Sequence, residues 1–420
     1  MKKVTLFLWL YTLLNLHLLR NVSLTGYVVT LALIYIPVMA YCLSRLTTVK
    51  MGKIALWFLL FLVTALWASI ITFTNYGIAA GAYASVRYFL TMPMALVAYL
   101  LLPSEASIRK VLLVLCFIVL VGVLTIPLQY VIGPIPWFAE PGERANMTRY
   151  ASILGSLPVA GGVIPYAVLA ALVLRMNKLI KATLVFLLFI CAVLTLQKAA
   201  LLGIPLAVGV YLLYVRKRKL FNIAVIGLLM VILGTVTAFV LKDWPVWHRA
   251  TDYAYAAFQL GKSPEALGGD VSVQESVIAR LTDLPRRSLD DLYSLRGAAG
   301  YLFGGGFGMV GAALMRPGDS PFITAHNGYV DLVLIGGIVH FLAFVGLVCY
   351  VVGALRTSLK NCRTHGLDDE ILVVLIGIIT IALFALFFAG GLTFQPVTGS
   401  LFWTVVGIAC RLENRILSKG

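Results

Sequence analysis

The residues with the strongest claim to chemistry gather at one end of a long polar segment. His326 stands beside Asn327 and ahead of Asp331, where that segment meets an apolar run. An imidazole has an unperturbed pKa of about 6.5, so it can take up a proton near neutral pH. Asn327 or Asp331 could fix its tautomer. Arg280 lies earlier in the same segment, and Lys198 sits in an almost absent connection, Leu196-Gln197-Lys198-Ala199-Ala200. Arg87, Arg144 and Arg149 fall in other short polar connections. Ionisable residues at membrane depth are functional candidates by default. Lys198 could instead be a snorkelling anchor, and the three arginines ordinary loop charges. His17 and His340 lie in apolar runs and read as hydrogen-bonded packing residues. The run Gly304-Gly305-Gly306-Phe307-Gly308 follows no strand, so it is no dinucleotide site; glycine there permits sharp turns or close backbone approach. No clustered His/Asp/Glu pattern suits a metal, so no metal or other cofactor is predicted. G-x-S-x-G and Walker-type loops are absent too.

Hydropathy supplies the elements that must carry these groups. The chain has 420 residues, 61% hydrophobic and only 12% charged, with a mean hydropathy of +0.98. Soluble domains are about 25% charged and about 45–50% apolar. A water-soluble enzyme with one core is therefore excluded, as are a disordered chain and a disulfide-rich secreted scaffold. Apolar runs of about 17–25 residues suit membrane helices; an outer-membrane barrel would show roughly 10-residue alternating segments. The sequence predicts an all-α polytopic membrane protein of twelve transmembrane helices, at 4–19, 24–43, 54–74, 87–102, 111–132, 157–174, 180–196, 199–215, 220–241, 327–355, 371–389 and 396–412. Helices one to nine occupy residues 1–241, a long periplasmic loop 242–326, and helices ten to twelve with a cytoplasmic tail 327–420.

Charge sets the expected orientation. With the N-terminus inside, 20 of the 33 basic residues fall on cytoplasmic segments and five (Arg20, Arg87, Arg144, Arg149 and Lys198) on short outer loops. The positive-inside bias then places both termini in the cytoplasm. The net charge of +16 is explained by topology, and no nucleic-acid partner is assigned. All six cysteines fall in spans or in the cytoplasmic loop after span ten, so no disulfide is expected on the outer face.

The loop 242–326 carries eight basic and nine acidic residues, so it is no basic tail. Trp244, Trp247, Tyr253, Tyr255 and Phe258 suit an aromatic belt at the membrane surface or, alternatively, sugar stacking. Ser272-Val273-Gln274-Glu275 has capping-box form and should start a helix. Val277, Leu281 and Leu284 then form one apolar stripe with Arg280 beside it, and Pro285 is expected to end the helix.

Several of these segments together resemble the O-antigen ligase and polymerase superfamily. Thr195-Leu196-Gln197-Lys198-Ala199-Ala200-Leu201 resembles its T-x-S-R turn, and Ser276-Val277-Ile278-Ala279-Arg280 its S-x-x-x-R stretch. Leu302-Phe303-Gly304-Gly305-Gly306-Phe307-Gly308 and Ala325-His326-Asn327-Gly328-Tyr329 resemble its glycine and A-H-N-x-Y signatures. The match covers roughly 180–345. There are two departures. Lys198 stands where the family usually has arginine, which keeps the charge but loses bidentate geometry. The family's frequent acidic residue in span ten falls near Ile335, leaving Asp331 as the nearest carboxylate.

The resemblance implies a bacterial inner-membrane glycosyltransferase working at the periplasmic face. Its donor is a glycan on a polyprenyl (undecaprenyl) diphosphate, and for a ligase the acceptor is the lipid A core of lipopolysaccharide. It implies His326 as general base and Arg280 as a catalytic cation. Lys198, Arg144, Arg149 and Arg87 join Arg280 on the diphosphate, with Asn327, Asp331 and Gly306 in support. The alternatives are a polymerase that uses a second lipid-linked repeat as acceptor, a transporter or flippase with a decorated outer loop, and a non-catalytic assembly subunit.

Overall fold

The computed structural model describes residues 2–14, 40–41, 44–45, 52–136, 138, 141–144, 147–195, 197–216, 282–313, 325, 327–362, 369–387 and 396–417. These residues are mostly helical. Five helices among them are long and apolar enough to cross a membrane: Lys53–Tyr76, Glu105–Ile132, Lys178–Thr195, Gly328–Lys360 and Asp369–Leu386. Their length and composition mark a helical membrane protein.

The chain forms two compact units, one of residues 1–111 and 280–420, the other of 112–279. The first contains α1 (Lys2–Leu14), α2 (Lys53–Tyr76), α3 (Ile78–Phe89) and α4 (Pro93–Leu101). The division falls inside α5 (Glu105–Ile132). The second unit continues with β1 (Gly142–Arg144), β2 (Met147–Arg149), α6 (Leu157–Val173), α7 (Lys178–Thr195) and α8 (Lys198–Tyr211), which ends in a π-turn at Leu212–Arg216. The first unit resumes with α9 (Asp283–Arg296), α10 (Ala298–Phe303), a 3-10 turn at Phe307–Ala313, α11 (Gly328–Lys360), α12 (Asp369–Leu386) and α13 (Pro396–Leu417).

Three sequence expectations change. The run 87–102 is not one helix, because α3 and α4 meet at a turn over Leu90-Thr91-Met92 with Pro93 opening α4. Pro285 does not end a helix; it lies in the first turn of α9, where a backbone N–H has no intrahelical partner to lose. None of the three arginines lies in a simple loop. Arg87 stands inside α3, and Arg144 and Arg149 belong to a small antiparallel hairpin in which Gly142 pairs with Arg149 and Arg144 with Met147. The helix expected to start at Ser272, its stripe through Leu281, and the aromatic segment from Trp244 to Phe258 lie outside the described residues.

The core of the first unit is aromatic. Phe61 of α2 packs against Trp403 of α13 and Phe344 of α11, with ring centroids 5.6 and 5.9 Å apart. Phe402 stacks on Phe344 at 5.9 Å. Small residues let the helices approach. A Cβ at Gly407 of α13 would overlap the Ala95 carbonyl of α4, and one at Gly346 of α11 would overlap the Trp57 ring of α2. At one end of this bundle, the Glu413 carboxylate of α13 accepts the Lys53 and Ile54 amides, each at 3.0 Å, and so caps α2.

Helix α11 is broken. Gly336 (φ −131°, ψ 17°) and Gly337 (φ 73°, ψ −173°) leave the helical region in mid-span. A continuous helix would bond the Leu334 and Ile335 carbonyls to amides four residues on. Here the Gly305 amide donates to Leu334 O (2.8 Å) and the Gly306 amide to Ile335 O (3.0 Å). The next amide, Phe307, donates to Thr72 Oγ1 of α2 (2.7 Å), whose hydroxyl donates in turn to Ala68 O (2.7 Å). Both sides of the contact require glycine. Gly304 and Gly337 have positive φ, and a Cβ at either would overlap the opposing backbone, Ile335 O for Gly304 and Leu302 O for Gly337.

This predicts a contrast within α11. Gly337→Ala combines backbone strain with a backbone overlap and should lower stability by about 3 kcal/mol or more. Gly353 has open space and lies in regular helix, so Gly353→Ala should be neutral or stabilising by about 0.5–1 kcal/mol. Thermal unfolding of both variants in one detergent checks this; equal melting temperatures would contradict it.

Candidate functional site

In the first unit, the described residues at the start of α11 are each held by neighbouring groups; His326 lies outside the described residues. Ala325 is fully buried and packs with Leu292, Met309 and Leu334. Asn327 caps the helix: its Oδ1 accepts the Tyr329 and Val330 amides at 3.1 and 3.4 Å, and its carbonyl accepts the Asp331 amide at 2.9 Å. The Tyr329 hydroxyl donates to Leu383 O of α12 (2.8 Å), and its ring packs on Phe387. Thus Ala325, Asn327 and Tyr329 each have a structural task, and His326 stands between two of them in sequence.

Asp331 lies one turn inside α11. It is buried, and neither carboxyl oxygen has a hydrogen-bond partner among the described residues. A buried carboxylate without a donor is expensive, and such groups persist where function requires them. Asn327 serves as a helix cap, whereas the Asp331 side chain has no such task among the described residues.

The glycine run supports α11. Its Gly305 and Gly306 amides are occupied by the carbonyls of Leu334 and Ile335, so they are not available to cradle a phosphate. Gly306 holds the floor beneath α11's first half.

His340 is a hydrogen-bonded packing residue, as its place in an apolar run suggests, but its partners carry no sequence signal. Thr64 Oγ1 lies 2.9 Å from Phe61 O and 2.7 Å from His340 Nδ1. If its one proton goes to the carbonyl, it accepts from Nδ1–H, and Nε2 is left to accept from the Tyr88 hydroxyl at 2.7 Å. All three groups are then satisfied with a neutral imidazole. The ring also stacks on Phe61 at 4.4 Å. Tyr88 in turn packs on Phe307, with centroids 4.6 Å apart. The network ties α2, α3 and the glycine run to the second half of α11. Its polar members are scattered over 276 positions of sequence, which is why spacing alone did not reveal them. Arg87 precedes Tyr88 on α3, and its side chain lies outside the described residues.

In the second unit, Lys198 opens α8 and Arg149 ends β2; the side chains of Lys198 and Arg144 lie outside the described residues. Tyr130 of α5 draws these segments together. Its hydroxyl lies 3.1 Å from Thr148 O and 3.4 Å from Leu194 O, so one donor serves both the strand before Arg149 and the last turn of α7. Gln129 Nε2 donates to Ala151 O (2.7 Å), fixing the chain after the hairpin. Gly161 of α6 makes room for Gln197, the residue that precedes Lys198. The predicted residues therefore fall into two sets: Arg87, Gly306, Asn327 and Asp331 in one unit, and Arg144, Arg149 and Lys198 in the other. Arg280 lies outside the described residues. Among the described residues, no three His, Cys, Asp or Glu side chains converge as metal ligands would.

No protein-family model matches the chain, and no curated protein matches its sequence.

Asp331 yields a prediction. Asp331→Leu replaces an unpartnered buried polar group with an apolar one of similar size, so it should stabilise the unliganded protein by about 1–3 kcal/mol. If the carboxylate serves a reaction, the same variant should lose activity, the usual trade at a functional group. Thermal unfolding beside an activity assay checks both; a destabilised variant of full activity would make Asp331 a structural residue.

Proposed function

We propose that the protein transfers a glycan from a polyprenyl diphosphate to a hydroxyl acceptor, as an O-antigen ligase does. The observation that carries this reading is the start of α11. In Ala325-His326-Asn327-Gly328-Tyr329, every described side chain is committed to packing, capping or anchoring. To this segment His326 adds an imidazole, the side chain suited to take up a proton near neutral pH, with Asp331, which has no hydrogen-bond partner among the described residues, five residues on in sequence.

In this reading the twelve spans hold both termini in the cytoplasm of a bacterial inner membrane, and α11 begins at the periplasmic face. The acceptor, a hydroxyl of the lipid A core, attacks the anomeric carbon of the donor sugar. Its proton passes to the neutral imidazole of His326. The bond from the anomeric carbon to the diphosphate oxygen breaks, and polyprenyl diphosphate leaves with the electron pair. Arg280 and Lys198 stabilise the charge that develops there, with Arg144, Arg149 or Arg87 assisting. No metal takes part.

Two other readings have support. A polymerase would use the same groups with a second lipid-linked repeat as acceptor. A transporter is favoured by one observation: α11 is discontinuous at membrane depth, with buried Asp331 before the break and His340 after it.

Glycan profiles of a strain lacking the protein separate the three. Loss of polymer from lipopolysaccharide, with lipid-linked polymer accumulating, is expected of the ligase. Shortened chains would indicate the polymerase, and donor retained on the cytoplasmic side a transporter. Purified protein given lipid-linked donor and acceptor should stay active in excess chelator; abolition reversed by magnesium would contradict the metal-free step. A general base must be neutral, so the rate should fall as pH drops through the histidine pKa. His326→Ala should lose about 10²–10⁴-fold in rate while retaining donor binding. Arg280→Ala should lose activity, and Arg280→Lys recover only part of it, because the planar fork is gone. Rescue of His326 by arginine, or a rate that rises on acidification, would leave His326 an electrostatic residue.

A further inference from the structure

The surface of α9 and α10 changes character along its length. Every exposed charge on α9, namely Asp283, Arg286, Arg287 and Asp290, precedes Tyr293. From Tyr293 onward the exposed large side chains are aromatic or aliphatic: Tyr293, Leu295, Tyr301, Leu302 and Phe303. Leu302 and Phe303 are 51% and 47% exposed at the end of a helix of this unit, which is unusual for a face meeting water. Tyr293 and Tyr301 stack on each other with centroids 5.9 Å apart. The half-buried Arg296 lies within electrostatic reach of Tyr76, at the end of α2, a position suited to a snorkelling cation.

Two independent contacts give the depth of this face. Phe303 meets Trp67 edge-on at 6.5 Å. Trp67 lies nine residues before the end of α2 at Tyr76, which at 1.5 Å per residue is about 14 Å along the helix. The Leu302 and Phe303 backbone also lies against Gly337, nine residues into α11, again about 14 Å from that helix's start. The helices run antiparallel, since Thr64 and His340, then Trp57 and Tyr350, meet in turn, so both depths are measured from the same side. Trp67 is itself an exposed residue of an apolar span.

We infer that residues 293–303 form a re-entrant element, descending about 14 Å from the membrane surface, whose exposed aromatic face lies in the hydrocarbon of the bilayer. The occupant of this face is lipid. The patch continues into the lipid-facing side of α2 through the Phe303–Trp67 contact. Non-helical backbone is tolerated at that depth only when its polar groups are satisfied inside the protein. That condition is met: Gly304, Gly305 and Gly306 are buried, and the amides from 304 to 307 donate to Gly300 O, Leu334 O, Ile335 O and Thr72 Oγ1. The element thus carries the glycine run to the level of the α11 break, with its wet face ending at Asp290.

The full chain in phosphatidylcholine–phosphatidylglycerol vesicles tests this, with a nitroxide on a single cysteine at Arg286, Tyr301 or Phe303 in a background without the native cysteines. The label at 286 should be open to an aqueous nickel chelate. Labels at 301 and 303 should be open to oxygen and shielded from nickel by about tenfold or more relative to 286. Nickel access at 301 and 303 equal to that at 286 would overturn the inference by placing the face in water. Shielding from both relaxers would overturn it by placing protein there, a second copy or another segment of this chain. Should the cysteine-free background not fold, carbene labelling of the wild-type protein by a membrane-partitioned diazirine decides the same point: adducts on Tyr301–Phe303 support the inference, and adducts confined to α2 with none on this segment refute it.

Discussion

A helix broken inside a membrane leaves carbonyl groups that no water can satisfy, and the first unit is arranged around that constraint. The Gly336–Gly337 break in α11 frees Leu334 and Ile335 carbonyls, and the amides of Gly305 and Gly306 take them up. The glycine run is a backbone splice: it supplies two amides at the required depth and lets two main chains approach where side chains would collide. Phe307 then anchors the run to Thr72 of α2, and Tyr88 packs on Phe307 while bonding His340 beyond the break. One satisfied break therefore registers α2, α3, α10 and α11.

The break also isolates the first half of α11, a short segment from Gly328 to Ile335 with its own cap at Asn327 and its own anchor at Tyr329. That half-helix carries Asp331, and its cap, Asn327, separates it from His326 in sequence. Both ends of this half-helix are tied to other elements, which gives its N-terminus a defined place in the unit. In the second unit, Tyr130 does the comparable work for the backbone segments bearing Arg149 and Lys198.

Much of the helical layout was legible as hydropathy, because long apolar runs in a membrane protein have few alternatives to helix. The runs 157–174, 180–196 and 371–389 correspond to α6, α7 and α12 within a few residues. Connections were less legible. The run 87–102 is apolar throughout, so the turn at Leu90–Met92 left no hydropathy signal, and Pro93 was the available clue. Pro285 carried a turn signal that holds within a helix but not in its first turn. The Gly336–Gly337 pair was visible, yet small residues in spans serve helix packing more often than breaks. The glycine run was read as a place of close backbone approach, and the α11 contact supplies the partner that sequence could not name. Asn327 and Asp331 were legible as neighbours of His326, but only the structure separates a cap from a buried carboxyl group. Tyr88, Thr64 and Tyr130 had no motif, because each acts through a contact distant in sequence.

Amide hydrogen exchange at Gly305 and Gly306 tests the splice most directly, comparing wild type with Gly337→Ala in the same bilayer. The account predicts protection at both amides in the wild-type protein, lost in the variant while the amides of α12 stay protected. Burial in lipid alone would protect them equally in both proteins. Equal protection, or rapid exchange in the wild type, would contradict the claim that the glycine amides close the break in α11.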